Sequence, residues 1–255
     1  MVLPILHGIV SIYHVFKFNL ILNAISHGGL TISIVKGFLI SLFQCAAAHP
    51  ISAAVIAATV YILKGTVYIF IAPKDGAFSG IINHFQNKTN FQLLNEIDIF
   101  STGCYSKNNK YQPLNIALFN DTSKYYLSKN SKDNWIQFDF KDYIVIPISY
   151  TIKTINSTKD KWFPKSWVLE GSKNLTTWTI LDEEANCTEL NGPGLNKTFG
   201  MSKQPWKFFR YIRLRLNGTD WSNKSYYLGI DAFELYGGMI SKKGIFKYFS
   251  KKPDK

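Results

Sequence analysis

Hydrophobic and polar positions alternate along several short segments between residues 134 and 237. Residues 135–140 and 208–216 place apolar side chains at every second position, and turn residues separate such segments. A period of two is typical of strands with one buried face. Residues 144–152 show the same period, and we assign its apolar set to the buried face. That set consists of Ile144, Ile146, Ile148, Tyr150 and Ile152.

The spacing of these segments predicts a mainly β domain, a sandwich of many short strands with little helix. Its core needs bulky apolar side chains, which Trp135, Trp167, Trp178 and Phe233 supply. The same alternation places Arg213 and Arg215 on the outward face of their strand, where a solvated or ion-paired role is expected.

The first third of the chain has long apolar runs instead of alternation. Residues 51–72 are interrupted only by Lys64, and residues 30–48 form a weaker run that Lys36 interrupts. A helix of the first length can cross a hydrocarbon core of about 30 Å. We therefore predict an apolar, helical region over residues 1–75 with one or two transmembrane helices. The alternative is an apolar helical pair packed on the β domain.

Charge is spread unevenly along the chain. The net charge is +12, but the excess lies at the two ends, so nucleic acid is not an expected partner. Residues 239–255 interleave lysines with Ile, Phe and Tyr. They predict a basic, flexible tail, for which attraction to an anionic membrane is the alternative to a solubilising role.

Catalytic and metal-binding motifs are missing from the sequence. It contains no paired-carboxylate pattern, nucleophile elbow, phosphate loop or HExxH motif, so we expect no enzyme and no cofactor. The three cysteines, Cys45, Cys104 and Cys187, form neither a disulfide framework nor a zinc motif.

Five motifs, taken in order, resemble those of a known family. They are NDT followed by YY at 120–126, NWIQFDF at 134–140, PKSWVLEGS at 164–172, FRYIRL at 209–214 and FELYG at 233–237. Together they resemble a discoidin, or coagulation factor 5/8 type C, domain over residues 78–238, in the form found in single-celled eukaryotes. The resemblance implies a jelly-roll β-sandwich of the galactose-binding-like type.

The resemblance also implies a binding face. Domains of this family bind phospholipid, carbohydrate or protein through three loops at one end of the sandwich, which fall here on 104–112, 121–126 and 156–163. Each loop has an aromatic residue beside a lysine, a pair that suits a sugar or a lipid headgroup. The candidate ligand-binding residues are Tyr105, Lys107, Tyr111, Asp121, Lys124, Tyr125, Lys161 and Trp162.

Two features of the family are incomplete here. Asp121 matches a calcium-site position, but the acidic and glycine companions are missing, so we expect no metal. The disulfide that joins the domain ends in extracellular members is absent, which argues against an oxidising setting. Eight Asn-x-Ser/Thr sequons favour the opposite, a luminal or outer side. They begin at Asn87, Asn120, Asn156, Asn174, Asn186, Asn196, Asn217 and Asn223.

These observations predict a non-enzymatic binding module that the apolar N-terminal region attaches to a membrane, on a side that the sequence leaves open. Its expected ligand is a carbohydrate, a phospholipid headgroup or a protein. The alternative is a soluble cytoplasmic adaptor domain for protein partners, in keeping with the missing disulfide.

Overall fold

The computed structural model describes residues 67–73, 78–88, 96–119, 121, 123–203 and 207–241. Contacts divide the chain into two units, Met1–Lys64 and Gly65–Lys255, and every described residue belongs to the second. Most of the predicted transmembrane region and the predicted tail from residue 242 onwards therefore lie outside the described residues.

The described residues form two antiparallel sheets and one α-helix. The strands are β1 Val67–Phe70, β2 Asp98–Ser101, β3 Tyr126–Leu127, β4 Trp135–Asp139, β5 Tyr143–Thr154, β6 Trp167–Ser172, β7 Trp178–Glu184, β8 Asn196–Gly200, β9 Tyr211–Leu216 and β10 Gly229–Ser241; the helix is α1 Ile81–Lys88. The first sheet has the order β1-β10-β5-β8, with β3 paired to β10, and the second has the order β2-β4-β9-β6-β7. The mainly β sandwich predicted from the alternating pattern is thus confirmed.

The core lies between the sheets and is rich in aromatic rings. Phe233 stacks on Phe138 with ring centroids 5.1 Å apart, and Trp167 meets Phe199 edge-on at 5.2 Å. Trp167 and Phe233 are fully buried, as predicted. Trp135 and Trp178 are only half-buried, because their strand positions face away from the core. The Arg213 guanidinium lies 3.8 Å from the centre of the Trp178 ring and covers it.

Strand β5 changes its buried face part-way along, which the sequence pattern missed. Tyr143 and Val145 are buried in its first half, and Tyr150 and Ile152 in its second half. The prediction that Ile144, Ile146 and Ile148 belong to the buried face is wrong, since all three are only half-buried. The register explains this difference. Tyr236 pairs with Ser149 but Gly237 pairs with Pro147, so one extra β5 residue forms a bulge that reverses the alternation.

The predicted transmembrane run covers residues 51–72, and the structure describes its last residues. There, Val67–Phe70 form a strand rather than a helix. Val67–Phe70 pairs with β10, with Val67 opposite Ile240 and Phe70 opposite Gly237. Aromatic and β-branched residues such as these favour strands wherever a partner strand is available. No helix within the part of the chain that the structure describes has the length and apolar character that crossing a bilayer requires.

The same pairing extends the sandwich beyond both ends of the predicted 78–238 stretch. Strand β1 precedes it, and β10 continues to Ser241. Residues 239–241, predicted as the start of a flexible tail, therefore belong to a sheet. Met239 and Ile240 pair with both β1 and β5, and Ser241 pairs with β5.

Helix α1 is attached to β10 by a buried carboxylate. Glu234 accepts hydrogen bonds from the backbone N–H groups of Gly80, Ile82 and Asn83 at 3.0, 2.8 and 3.1 Å. These groups have no partner within the first turn of a helix, so Glu234 caps α1 from a strand more than 150 positions away. The helix packs Ile81, Ile82 and Phe85 into the core.

Candidate functional site

Five aromatic side chains from four chain segments meet at one end of the sandwich. We call Tyr105, Tyr111, Tyr125, Trp162 and Tyr227 the aromatic cluster. Tyr105 contacts Tyr111, Trp162 and Tyr227 with centroids 5.4, 5.9 and 5.9 Å apart. Tyr125 lies 5.4 Å from Tyr111, and Tyr227 lies 4.9 Å from Trp162. The three loops predicted to share one end of the sandwich therefore do converge.

Backbone hydrogen bonds fix the first two loops of the cluster to each other. The Tyr105 N–H donates to the Leu127 carbonyl at 2.8 Å, and the Tyr125 N–H donates to the Lys110 carbonyl at 3.0 Å. Asn115, which is buried, donates through Nδ2 to the carbonyls of Asn109 and Tyr125 at 2.8 and 3.2 Å. These contacts hold Tyr105, Tyr111 and Tyr125 on a rigid support.

The other two rings are held by the segment that leads into β10. The Gly229 N–H donates to the Trp162 carbonyl at 3.0 Å, and a Cβ at position 229 would lie only 2.7 Å from that oxygen. Tyr227 donates its N–H to Asp220 Oδ2 at 3.2 Å. Asp220 is fully buried and also accepts from Ser225 Oγ at 2.6 Å. The position of the Trp162–Tyr227 pair is thus set by backbone contacts.

The cluster is polar, and the phenols of Tyr125 and Tyr227 are uncharged at neutral pH. Burial raises the pKa of Tyr125 to about 12, and the neighbouring Tyr111 acts in the same direction. Burial also raises the pKa of Tyr227, and the charge of Asp160 adds to the shift at both residues. Lys110 Nζ lies 5.3 Å from the centre of the Tyr125 ring and 5.8 Å from that of Tyr111. Neutral hydroxyls, a cation and a nearby carboxylate are therefore available to one ligand.

Four predicted site residues, Lys107, Asp121, Lys124 and Lys161, take no part in the ring and cation contacts of the aromatic cluster within the described part of the chain, although the sequence places each lysine near an aromatic residue. Lys124 forms an ion pair with Asp121 at 3.0 Å. Asp121 Oδ1 accepts from the Ser123 N–H and hydroxyl at 3.1 and 2.5 Å, and this hydroxyl lowers the pKa of Asp121. Asp121 therefore has the role of a turn former. Lys107 and Lys161 are exposed, and the cation over the rings is Lys110 instead.

Metal binding finds no support in the described part of the chain. No three His, Cys, Asp or Glu residues lie close enough together there to hold an ion. Cys104 and Cys187 are both free thiols, and burial raises the pKa of each.

Sequence reasoning missed three participants of the site, namely Lys110, Asp160 and Tyr227. Lys110 and Asp160 lie inside loops 104–112 and 156–163, which the sequence assigned to the binding face. They were missed because other residues of the same loops, such as Lys107 and Lys161, were selected. Tyr227 lies outside all three loops. A signal was available, since Tyr227 comes two residues before β10 and strand ends of a sandwich meet at its rims.

Comparison with solved structures returns small β-sandwich domains. One is a family 32 carbohydrate-binding module from Clostridium perfringens in complex with GalNAc-β-1,3-galactose, with 9% identity, TM-score 0.44, and coverage of 56% of this chain and 96% of that one. Another is the family 32 module of C. perfringens NanJ in complex with galactose, with 14% identity, TM-score 0.43, and coverage of 56% and 94%. A third is the F5/8 type C domain of a Bacteroides fragilis protein, with 12% identity, TM-score 0.45, and coverage of 56% and 92%. These matches are to two carbohydrate-binding modules and one F5/8 type C domain, which is the type of domain that the motifs of the sequence resemble.

Comparisons of sequence give shorter matches. No family model matches the chain. A stretch of 115 residues is 30% identical to the E3 ubiquitin-protein ligase Ufd4 of Drosophila melanogaster, and 96 residues are 26% identical to the E3 ubiquitin-protein ligase hecd-1 of Caenorhabditis elegans. These stretches are 44% and 38% of this chain, but each covers only 4% of the ligase it matches.

Proposed function

We propose that this chain is a non-enzymatic binding module that recognises carbohydrate through the aromatic cluster. The observation that supports this most directly is the convergence of five rings from four segments on one end of the sandwich. Tyr105, which contacts three of the other four, keeps 49% of its surface exposed. The exposed Tyr105 ring, held in place by the other rings of the cluster, offers a flat apolar surface on which a planar face of a ligand can stack.

A sugar ring fits the chemistry of this surface. One face of a pyranose carries C–H groups that pack on an aromatic ring, while its hydroxyls need donors and acceptors at the rim. The phenol hydroxyls of Tyr111, Tyr125 and Tyr227 can both donate and accept hydrogen bonds. Lys110 adds a donor, and Asp160 adds an acceptor.

The loop that carries Tyr105 favours carbohydrate over insertion into a lipid bilayer. The residues that follow it, Ser106, Lys107, Asn108 and Asn109, are polar and exposed. A loop that enters a membrane interface buries an apolar tip, which this loop does not offer.

Replacement of Tyr105 by alanine tests this function. We expect Tyr105→Ala to weaken glycan binding by at least about tenfold, because truncating a stacked ring removes roughly 1.5–3 kcal/mol of apolar burial. The full chain is screened on a glycan array that includes galactose and GalNAc-β-1,3-galactose, the ligands of the two modules above. Hits are then measured by calorimetry.

Phe100→Ala is the matched control, since Phe100 is an equally exposed aromatic residue, at 48%, on strand β2. It should leave glycan binding unchanged, and both variants should keep the parental melting temperature. Equal affinities for wild type and Tyr105→Ala would contradict the assignment of the cluster as the binding site.

Binding of a protein partner is the second candidate function. It is favoured by the sequence matches to two ubiquitin ligases, because a domain carried by such large chains is a candidate for recruiting other proteins. Membrane attachment stays a prediction that rests on the apolar runs before Val67, which lie outside the described residues.

A further inference from the structure

Sequons are more frequent in this chain than its composition explains. Of its 19 asparagines, eight begin an Asn-x-Ser/Thr triplet. Serine and threonine together account for 35 of 255 residues, so chance placement would produce only about three such triplets. Seven of the eight use threonine, although serine is the commoner of the two hydroxyl residues. The triplets are therefore about threefold in excess of chance placement in this sequence.

Every sequon asparagine that the structure describes is exposed, and this holds on the helix, on a strand and in loops alike. In contrast, the buried asparagines, Asn115 and Asn134, belong to no sequon. Both have Nδ2 engaged with backbone carbonyls, Asn134 with those of Lys129 and Tyr226 at 2.6 and 2.7 Å. The seven exposed sequon residues are Asn87, Asn156, Asn174, Asn186, Asn196, Asn217 and Asn223.

We infer that this domain carries N-linked glycans on its exposed sequons and therefore faces the lumen of the secretory pathway or the cell exterior. In the reaction, the Asn Nδ2 atom attacks C1 of the first sugar of a polyprenyl-diphosphate oligosaccharide. A new N–C1 bond forms, the C1–O bond to the diphosphate breaks, and one amide proton is lost to a base. The polyprenyl diphosphate leaves, and no oxidant or reductant is needed.

Asn174 is a suitable acceptor in the folded domain. Its Oδ1 atom accepts hydrogen bonds from the N–H groups of Thr176 and Thr177 at 3.1 Å each, in the turn between β6 and β7. The carbonyl oxygen thus makes the turn contacts, and Nδ2, where a glycan attaches, takes part in none of them. A glycan here is compatible with the turn.

The Nδ2 hydrogen bonds at two other sites are also compatible with modification. Asn87 donates to Asn83 Oδ1 at 2.8 Å, and Asn217 donates to Glu183 Oε1 at 3.4 Å. A glycosylated amide keeps one N–H, which is sufficient for a single hydrogen bond. Asn196 begins β8, an edge strand of the first sheet, where a bulky hydrophilic glycan would hinder pairing with another chain.

The test uses the full chain expressed in a eukaryotic cell with its own N-terminal region. We expect treatment with peptide-N-glycosidase to lower its apparent mass on a gel. We also expect it to convert occupied asparagines to aspartate in water enriched in heavy oxygen, which mass spectrometry assigns to individual sites. Three exposed asparagines outside sequons, Asn108, Asn109 and Asn130, serve as internal controls and should stay unmodified.

A variant pair isolates one site without disturbing its turn. Thr176→Ala destroys the sequon at Asn174 but keeps the backbone N–H that Asn174 accepts from, so it should lose one glycan and keep the parental melting temperature. Thr176→Ser should keep that glycan.

A second version of the chain, fused to a cleavable secretory leader, completes the test. If only the leader version is glycosylated, the sequons are competent but unused, and the inference is overturned. It is overturned equally if the sequon peptides of both versions are unmodified. Glycosylation of the chain with its own N-terminal region supports it, whatever the outcome of the carbohydrate-binding experiment.

Discussion

Trp167 shows how much a single residue contributes to the join between the two sheets. Its Nε1–H donates to the Tyr150 hydroxyl at 2.9 Å, and that hydroxyl donates to Asp182 Oδ2 at 2.7 Å. The second Asp182 oxygen accepts from the Ser202 N–H at 2.9 Å. Trp167, Tyr150 and Asp182 are all fully buried, so each group in this chain of hydrogen bonds depends on its neighbour.

Trp167→Ala should therefore lower the free energy of unfolding by about 3–5 kcal/mol, the usual cost of truncating a large buried aromatic side chain. Chemical denaturation monitored by circular dichroism measures this. Trp178→Ala is the control of equal size, and its half-exposed ring should cost far less. A loss below about 1 kcal/mol for Trp167→Ala would show that the ring is not in the core.

Glu234 gives the domain a specific pH dependence. Burial raises its pKa from 4.5 to about 7, although backbone N–H groups at the start of α1 lower it. The folded state thus binds the proton more tightly than the unfolded chain does. This contribution to stability is complete below about pH 4.5 and is lost as the pH rises through about 7.

We expect the difference in unfolding free energy between wild type and Glu234→Gln to decrease as the pH rises from about 4.5 to 7 and then to stay constant. Taking the difference removes the titration of carboxylates that both proteins share. Urea titrations at several pH values measure it. Parallel pH profiles for the two proteins would show that Glu234 keeps one protonation state throughout.

At the scale of elements, the bulge between β5 and β10 depends on one glycine. Gly237 has φ +136°, and a Cβ there would lie 2.1 Å from the Ile146 carbonyl oxygen. Gly238, the next residue, lies opposite the same Ile146, but its added Cβ would make an ordinary contact at 3.6 Å. An added side chain therefore clashes with the backbone at position 237 but fits at position 238.

Gly237→Ala should destabilise the domain by about 1–3 kcal/mol or more, because it adds backbone strain and a clash. Gly238→Ala should have a much smaller effect. Thermal melting of the two variants compares them directly. Similar melting temperatures would mean that the bulge can rearrange without a glycine at position 237.

The bulge also explains how far strand faces could be predicted from the sequence. From Ile212 onwards strand β9 keeps its alternation, and its buried set of Ile212, Leu214 and Leu216 follows directly from the pattern. Tyr211, on the opposite face, is also buried, which the pattern did not predict. Strand β5 has an equally regular pattern, yet its first half buries the opposite set. A period of two identifies a strand, but only its partner reveals an extra residue, because the bulge is a property of the pair.

At the scale of the whole molecule, the order of motifs predicted the sandwich and the meeting of three loops. The order of motifs could not predict the residues whose position depends on distant chain segments. Tyr227 reaches the cluster through Asp220 and Gly229, and β1 is a strand because β10 lies beside it. An apolar run such as 67–70 has no fixed structure of its own, so its environment decides between helix and strand.

The position of β10 in the chain has a consequence for how the protein is made. Strands β1, β3 and β5 all pair with β10, the last strand of the sandwich to leave the ribosome. Ile240 lies 173 positions after its partner Val67, so β1 can pair only after β10 has been synthesised. Contacts so far apart in sequence form slowly, and unpaired strands are open to aggregation meanwhile. A nascent chain that stops before residue 229 would present β1 and β3 without their partner strand, β5 paired only with β8, and an uncapped helix. Such a form is suited to recognition by chaperones and quality-control proteases.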